Sequence, residues 1–143
     1  MYDKGKFTFS DALPEHVTKL EKKYLSDGEN IIDKHVIIYV GDHAPPVSDF
    51  SADIDAQGYE GTLFVRSRDE GDKFICKNIT RSIKKSFIDK KIPRCERDAV
   101  PLICDSNGII YVPYIGLADR VKPDRGSKTK KISIYIRKAN SNQ

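Results

Sequence analysis

The sequence predicts a single α+β domain made of short antiparallel strands and two helices. Three observations carry this. Val100 to Asp105 and Ile109 to Val112 are two β-rich runs separated by Ser106-Asn107-Gly108, a strong hairpin signal. Ile132, Ile134 and Ile136 alternate with Ser133, Tyr135 and Arg137, the period of a strand with one buried face. Leu13, Val17, Leu20 and Tyr24 recur at helical spacing, and a second helical pattern runs from Thr80 or Ser82 to about Lys91. A chain of 143 residues is most simply one domain spanning 1–143. It can bury roughly two-thirds of its unfolded surface, enough to hold a core without staples.

In chain order, KFTFS within residues 1–10 reads as an edge strand. The first helix has Asp11 as N-cap and Pro14 in its first turn, and Ser26-Asp27-Gly28 ends it; Glu15, Lys19, Glu21, Lys22 and Lys23 form its solvated face. Ile31 to Val40 reads as one strand, broken by Gly41 to Pro46. Phe50 to Ile54 is a short strand, and Thr62 to Val65 is another that leads into Arg66-Ser67-Arg68. Arg66 and Arg68 share the wet face of that extended segment with Phe64, while Leu63 and Val65 face the other way. Asp69-Glu70-Gly71-Asp72 is a tight turn with positive φ expected at Gly71, or a device in which Asp72 orients a neighbouring arginine. Lys77 to Thr80 reads as a loop, and Ile92-Pro93 stops the second helix. Residues 122–131 are a polar, basic loop, and Ala139 to Gln143 a frayed end.

Charge is concentrated in the middle of the chain. Arg66 to Arg97 holds eleven Lys or Arg against five Asp or Glu, an excess larger than the net +4 of the whole chain. On one continuous helix Arg81, Lys84, Lys85 and Lys91 fall within an arc of about 120°. Like charges at that spacing repel, so the arrangement points to an anionic partner.

Catalytic and metal signals are absent from the sequence. There is no P-loop, dinucleotide fingerprint, nucleophile elbow or H-E-x-x-H. Cys76, Cys95 and Cys104 include no C-x-x-C, which fits reduced thiols and a cytoplasmic compartment. His35 and His43 have no metal-pair spacing, so no metal site is expected. No apolar run approaches the ~18 residues of a membrane span, and the first residues lack a signal-length apolar core.

RSRDEGDKF followed by KKSFIDKKIPRCERDAVPLICDSNGIIYVPYIG resembles the C-terminal substrate-binding domain of tRNA(Ile)-lysidine synthetase. That family shows Arg-x-Arg, then Gly-Asp-Arg-Phe, a lysine-rich helix with Phe-Ile-Asp, Lys-Ile-Pro, a downstream Arg and Pro-Leu, and Ile-x-Trp-Val-x-Gly. The matching positions here are Arg66, Arg68, Gly71, Asp72, Phe74, Lys84, Lys85, Phe87, Ile88, Asp89, Lys91, Ile92, Pro93, Arg97, Pro101, Leu102, Ile110, Val112 and Gly116. The match is strongest over residues 61–120. Lys73 stands where the family has Arg, which turns a bidentate contact into a point charge. Ile83 replaces Leu, Tyr111 replaces Trp, and residues 75–82 lack the family's glycine.

The resemblance implies a compact β-sandwich-like sheet arrangement with flanking helices, similar to a domain of the phenylalanyl-tRNA synthetase β subunit. It also implies a role. In the family an N-terminal domain uses ATP and Mg to join lysine to an anticodon cytidine, and the C-terminal domain grips tRNA at the acceptor stem. The S-G-G-x-D-S loop of that catalytic domain is not in this sequence, so the segment alone is expected to be non-catalytic and to need no cofactor. The expected partners are tRNA, with tRNA(Ile) foremost, and the catalytic domain. The expected RNA contacts are Arg66, Arg68, Lys73, Arg81, Lys84, Lys85, Lys91, Arg94 and Arg97, on a scaffold of Gly71, Asp72, Asp89 and Pro93. Arg66, Arg68 and Arg97 either join the phosphate contacts or are tied to Asp72 and Asp89. Engagement of about six phosphates predicts roughly a thousand-fold affinity loss between about 50 and 200 mM salt. The alternative is a free-standing protein-interaction or regulatory module that turns the same basic face to an acidic protein.

Overall fold

The fold comes from a computed structural model, and the structure describes residues 19–42 and 48–136. In chain order its strands are β1 (Lys23–Tyr24), β2 (Gly28–Ile31), β3 (Val36–Gly41), β4 (Phe50–Asp55), β5 (Phe64–Arg66), β6 (Lys73–Cys76), β7 (Ile79–Ser82), β8 (Leu102–Asp105), β9 (Gly108–Val112), β10 (Gly116–Leu117) and β11 (Thr129–Ile136). One α-helix, α1 (Ile83–Asp89), and two 3₁₀ helices, Arg94–Ala99 and Asp119–Val121, complete the described elements. A five-stranded sheet runs β1-β5-β8-β9-β10, a four-stranded sheet β2-β3-β11-β4, and β6-β7 is a separate hairpin. Every pairing is antiparallel. Sheets therefore dominate the described residues.

The two larger sheets share one apolar cluster. Ile38, Ile54, Ile132 and Ile134 come from the four-stranded sheet, and Val65, Leu102, Ile103, Ile110 and Val112 from the five-stranded one. All nine are fully buried. Full burial of such a side chain stabilises by roughly 1.5–3 kcal/mol before conformational entropy is counted. Ile132, Ile134 and Ile136 are buried as expected, but Ser133 between them is buried too, because β11 is a central strand between β3 and β4. β8 is buried at every position, so both its faces are covered. Phe74, Cys76, Ile83 and Phe87, from β6 and α1, belong to the same cluster.

Several elements differ from the sequence reading for local reasons. The expected strand Ile31 to Val40 is a hairpin. Asp33 Oδ1 accepts from the N–H groups of His35 (2.8 Å) and Val36 (2.9 Å), which folds the chain back so that β2 pairs with β3. The expected loop Lys77 to Thr80 is confined to Lys77-Asn78, since Ile79 and Thr80 belong to β7. Lys77 (φ 56°) and Asn78 (φ 65°) make a two-residue connection with both residues left-handed, so β6 pairs with β7. This geometry does without the glycine that the family carries there. Asp105 pairs with Gly108, so the expected three-residue hairpin turn is the two-residue Ser106-Asn107. Leu20 to Tyr24, the end of the expected first helix, is extended, and Tyr24 pairs with Phe64. The edge strand in residues 1–10, the helix positions Asp11 to Val17, His43 with the break through Pro46, and the end Ala139 to Gln143 lie outside the described residues.

Candidate nucleic-acid interface

The turn after β5 ties three elements together. Gly71 has φ 83°, the left-handed conformation the sequence calls for. That lets Asp72 N–H reach Asp69 O (3.2 Å) while the Asp72 carboxylate accepts from Asp69 N–H (2.7 Å). The same carboxylate receives both ends of the Arg66 guanidinium, at 2.8 and 3.1 Å. The hydrogen bond with Asp72 is the largest cause raising the Arg66 pKa, against an opposing effect of burial. Asp72 O then accepts from Ile83 N–H (3.0 Å), the first residue of α1. Both readings of Asp72 therefore hold: it closes a turn, and it orients an arginine.

Helix α1 is short and defined at both ends. Ser82 is the N-cap, its Oγ accepting from Lys85 N–H at 3.2 Å. At the other end Ile92 N–H bonds Phe87 O (3.0 Å) and Lys91 N–H bonds Ile88 O (3.0 Å), with Lys91 left-handed at φ 60°. This is a Schellman closure, with buried Phe87 and Ile92 as its apolar pair. Ile83 and Phe87 face the core, which turns Lys84, Lys85 and Ile88 outward.

These boundaries correct the expected cationic arc. Arg81 lies on β7 opposite Phe74, and its Nε donates to Cys76 O at 3.1 Å. Lys91 lies past the end of α1. Only Lys84 and Lys85 of the four are on the helix, because a serine cap keeps the residues before it extended.

A cleft of about 560 Å³ opens between the Arg68 to Asp72 turn, α1 and the 3₁₀ helix Arg94–Ala99. It brings together Arg68, Gly71, Asp72, Lys84, Arg94 and Arg97 of the expected residues. Arg66 sits behind it, bound to Asp72. Lys73, Arg81, Lys85, Asp89, Lys91 and Pro93 do not line it. Lys19, Asp98 and Ile88 do, although none of them was among the expected contacts. Lys19 arrives through Leu20, whose N–H donates to Ser67 Oγ at 2.6 Å. Asp98 is held by Ser67, whose hydroxyl donates to the Asp98 carbonyl, and by Arg68 Nε, 3.0 Å from Asp98 Oδ1. Arg97 Nε donates to Ile92 O (2.9 Å), so it is anchored by backbone and not by Asp89.

Five cations and four carboxylates line the cleft. Three of the carboxylates are paired with arginines: Asp72 and, at 3.4 Å, Asp69 with Arg66, and Asp98 with Arg68. Lys84 and Arg94 are exposed and make no ion pair with another described residue, and the same is true of Lys85 and Lys91 nearby. Among the described residues no group of three or more His, Cys, Asp or Glu is placed to hold a metal ion. No described helix is long and apolar enough to cross a membrane.

Fold and cleft together define an antiparallel two-sheet domain that offers preset cations at one end of the larger sheet. The family described as the TilS substrate C-terminal domain matches residues 63–134, about half of the chain, and the chain belongs to that family. It is 38% identical over 78 residues to the tRNA(Ile)-lysidine synthase of Clostridioides difficile (strain 630), covering 54% of this chain and 17% of that protein. It is 30% identical over 145 residues to the enzyme of that name in Clostridium tetani (strain Massachusetts / E88), covering 92% of this chain and 30% of that one. A bifunctional protein TilS/HprT of Listeria monocytogenes serotype 4b (strain F2365) is 36% identical over 93 residues, covering 63% and 14%. The chain thus spans less than a third of the curated relatives it matches. A crystal structure of a TILS C-terminal domain superposes with TM-score 0.57 at 26% identity, covering 88% of this chain and 96% of that one.

Proposed function

We propose that this domain grips tRNA, tRNA(Ile) foremost, for a tRNA(Ile)-lysidine synthase. The ATP-dependent joining of lysine to cytidine is assigned to a catalytic domain whose signature loop this sequence does not contain. The observation that carries the reading is the charge state of the cleft. Three of its four carboxylates are paired with arginines, while Lys84 and Arg94 stand exposed in it without an ion pair to another described residue. A-form RNA hides its base edges in a deep groove, so a stem is recognised through phosphates, 2′-OH groups and shape. The acceptor stem supplies that surface. Lys19, Lys84, Arg94 and Arg97 meet phosphates in the cleft, with Lys85 and Lys91 beside them. Arg66 and Arg68 serve as scaffold, because Asp72 and Asp98 already pair with them, and Arg81 lies on β7 outside the cleft.

Charge reversal tests this. Lys84→Glu with Arg94→Glu alters two exposed side chains, so the thermal unfolding midpoint stays within a few degrees. Affinity for tRNA in a filter-binding titration should fall at least ten-fold. Unchanged affinity removes the cleft from the interface. Equal affinity of the parent protein for tRNA(Ile), a bare duplex and heparin means charge without recognition, and leaves the fold free to serve an acidic protein partner.

A further inference from the structure

At the outer edge of the five-stranded sheet, β1 presents a second surface that the cleft does not use. Tyr24 is 59% exposed, the most exposed large apolar side chain among the described residues. Its ring meets Phe64 edge-to-face, with centroids 5.7 Å apart and planes at 63°. The two residues are register partners across β1 and β5, so the pair is fixed by the sheet. Lys22 holds its ammonium 5.1 Å from the Tyr24 centroid and 4.4 Å from that of Phe64. Beside the rings is a depression of about 440 Å³ lined by Lys22, Tyr24, Thr62, Phe64, Asp105 and Ser106.

Tyr24 is exposed and Phe64 half-buried, with the Lys22 ammonium over their rings and hydroxyl groups beside them, a set that fits a flat ring with a polar edge attached to a phosphate. We infer that Tyr24 and Phe64, with Lys22, form a stacking platform for an unpaired nucleobase of the same RNA whose phosphates enter the cleft. This rests on the tRNA-binding reading and deepens it. Two connections favour an RNA strand over an apolar protein segment. Phe64, Arg66 and Arg68 share one face of an extended stretch, about 13 Å from the first to the last. Residues 19–24 run the same course on the outside, with Lys19 at the cleft and Lys22 and Tyr24 at the platform. Cations thus mark the whole path between the two surfaces. Thr62 and Ser106 supply hydroxyls at the depression for the edge of the base. The face of a base stacks on an aromatic whatever its identity, so the platform selects an unpaired base and not a sequence.

The test compares a short blunt-ended RNA duplex with the same duplex carrying an unpaired 3′ tail, one tail base being a fluorescent purine analogue quenched by stacking. With the full 143-residue chain, the tailed probe should bind more tightly and its fluorescence fall. Tyr24→Ala should remove that gain, roughly 5- to 150-fold, restore the fluorescence and leave the blunt duplex unaffected. Tyr24→Phe should keep both the gain and the quenching. A tail that adds nothing, or a Tyr24→Ala that weakens both probes equally or neither, overturns the platform. Lys84→Glu with Arg94→Glu separates the two ideas, since it should weaken both probes alike. If that variant has no effect while tail dependence persists, the cleft reading fails and the platform stands; if neither probe binds the parent protein, both fail.

Discussion

Asp105 carries more structural duty than any other acidic side chain described. Its carboxylate is fully buried. It receives Arg120 through two hydrogen bonds, of 2.9 and 2.7 Å, and the N–H groups of Glu60 (3.0 Å) and Asn107 (2.9 Å). Burial pushes its pKa up, but Arg120 and the two amides outweigh burial and hold it below the ordinary carboxylate range. A depressed folded-state pKa stabilises above the unfolded value of about 3.9, and that stabilisation is lost as pH falls through the lower, folded value. The urea midpoint should therefore hold from neutral pH down to about pH 5 and drop below about pH 4. Asp105→Asn should cost about 2–3 kcal/mol at neutral pH and shrink the acid-side drop. Thiol reactivity is a second check at this scale. Cys95 is exposed, Cys76 and Cys104 are buried, and burial pushes the Cys104 thiol up to about 11. A thiol reagent near neutral pH should modify Cys95 alone in the native chain, as mass spectrometry of the peptides would show.

The helix and its neighbours show where sequence signals end. A cap at Thr80 or Ser82 and the stop near Pro93 were readable, because a side-chain oxygen before an apolar run and an imino residue after it act locally. The length of α1 was not, since Thr80 and Ser82 offer equivalent caps. The choice falls on Ser82 because Ile79 to Ser82 pairs with Lys73 to Cys76, a contact formed through two left-handed residues, neither of them glycine. The Asp119 carboxylate fixes that connection by accepting from Lys77 N–H (2.8 Å) and Asn78 N–H (2.7 Å), more than forty residues away in sequence. The Schellman closure gives a prediction of its own. Lys91 occupies the left-handed position that glycine favours, at a cost of roughly 1 kcal/mol. Lys91→Gly should raise stability by about that amount in urea unfolding. Removing the same charge with Lys91→Gln should not, which separates backbone strain from repulsion.

Across the whole molecule, the outward face shared by Phe64, Arg66 and Arg68 was legible from strand period alone. The pairing order was not. β5 meets β8, and β11 enters between β3 and β4, across large sequence separations that no local pattern encodes. The site was legible to the same degree. The family resemblance pointed to the segment that supplies most of the candidate cleft's lining, yet charge counting could not tell an unpaired cation from an ion-paired one. Arg66 and Arg68 are ion-paired inside the chain and Arg81 lies away from the cleft, while Lys19 reaches it through a serine on β5's extension. The salt dependence shrinks accordingly. About four cleft cations in place of six phosphate contacts lower the expected affinity loss between about 50 and 200 mM salt to roughly 150-fold. A log–log slope much steeper than about −4 would bring the surrounding lysines into the interface, and a flat line would exclude phosphate contact.

The knot at Asp72 reaches beyond the residues it joins. Its carboxylate grips a strand through Arg66 and its carbonyl holds the first amide of α1. The lysine-bearing helix therefore keeps one bearing relative to the sheet before any polyanion arrives. For a phosphate-bearing partner of the proposed kind the backbone under Lys84 would need no rearrangement, leaving only its side-chain rotamers to order on contact.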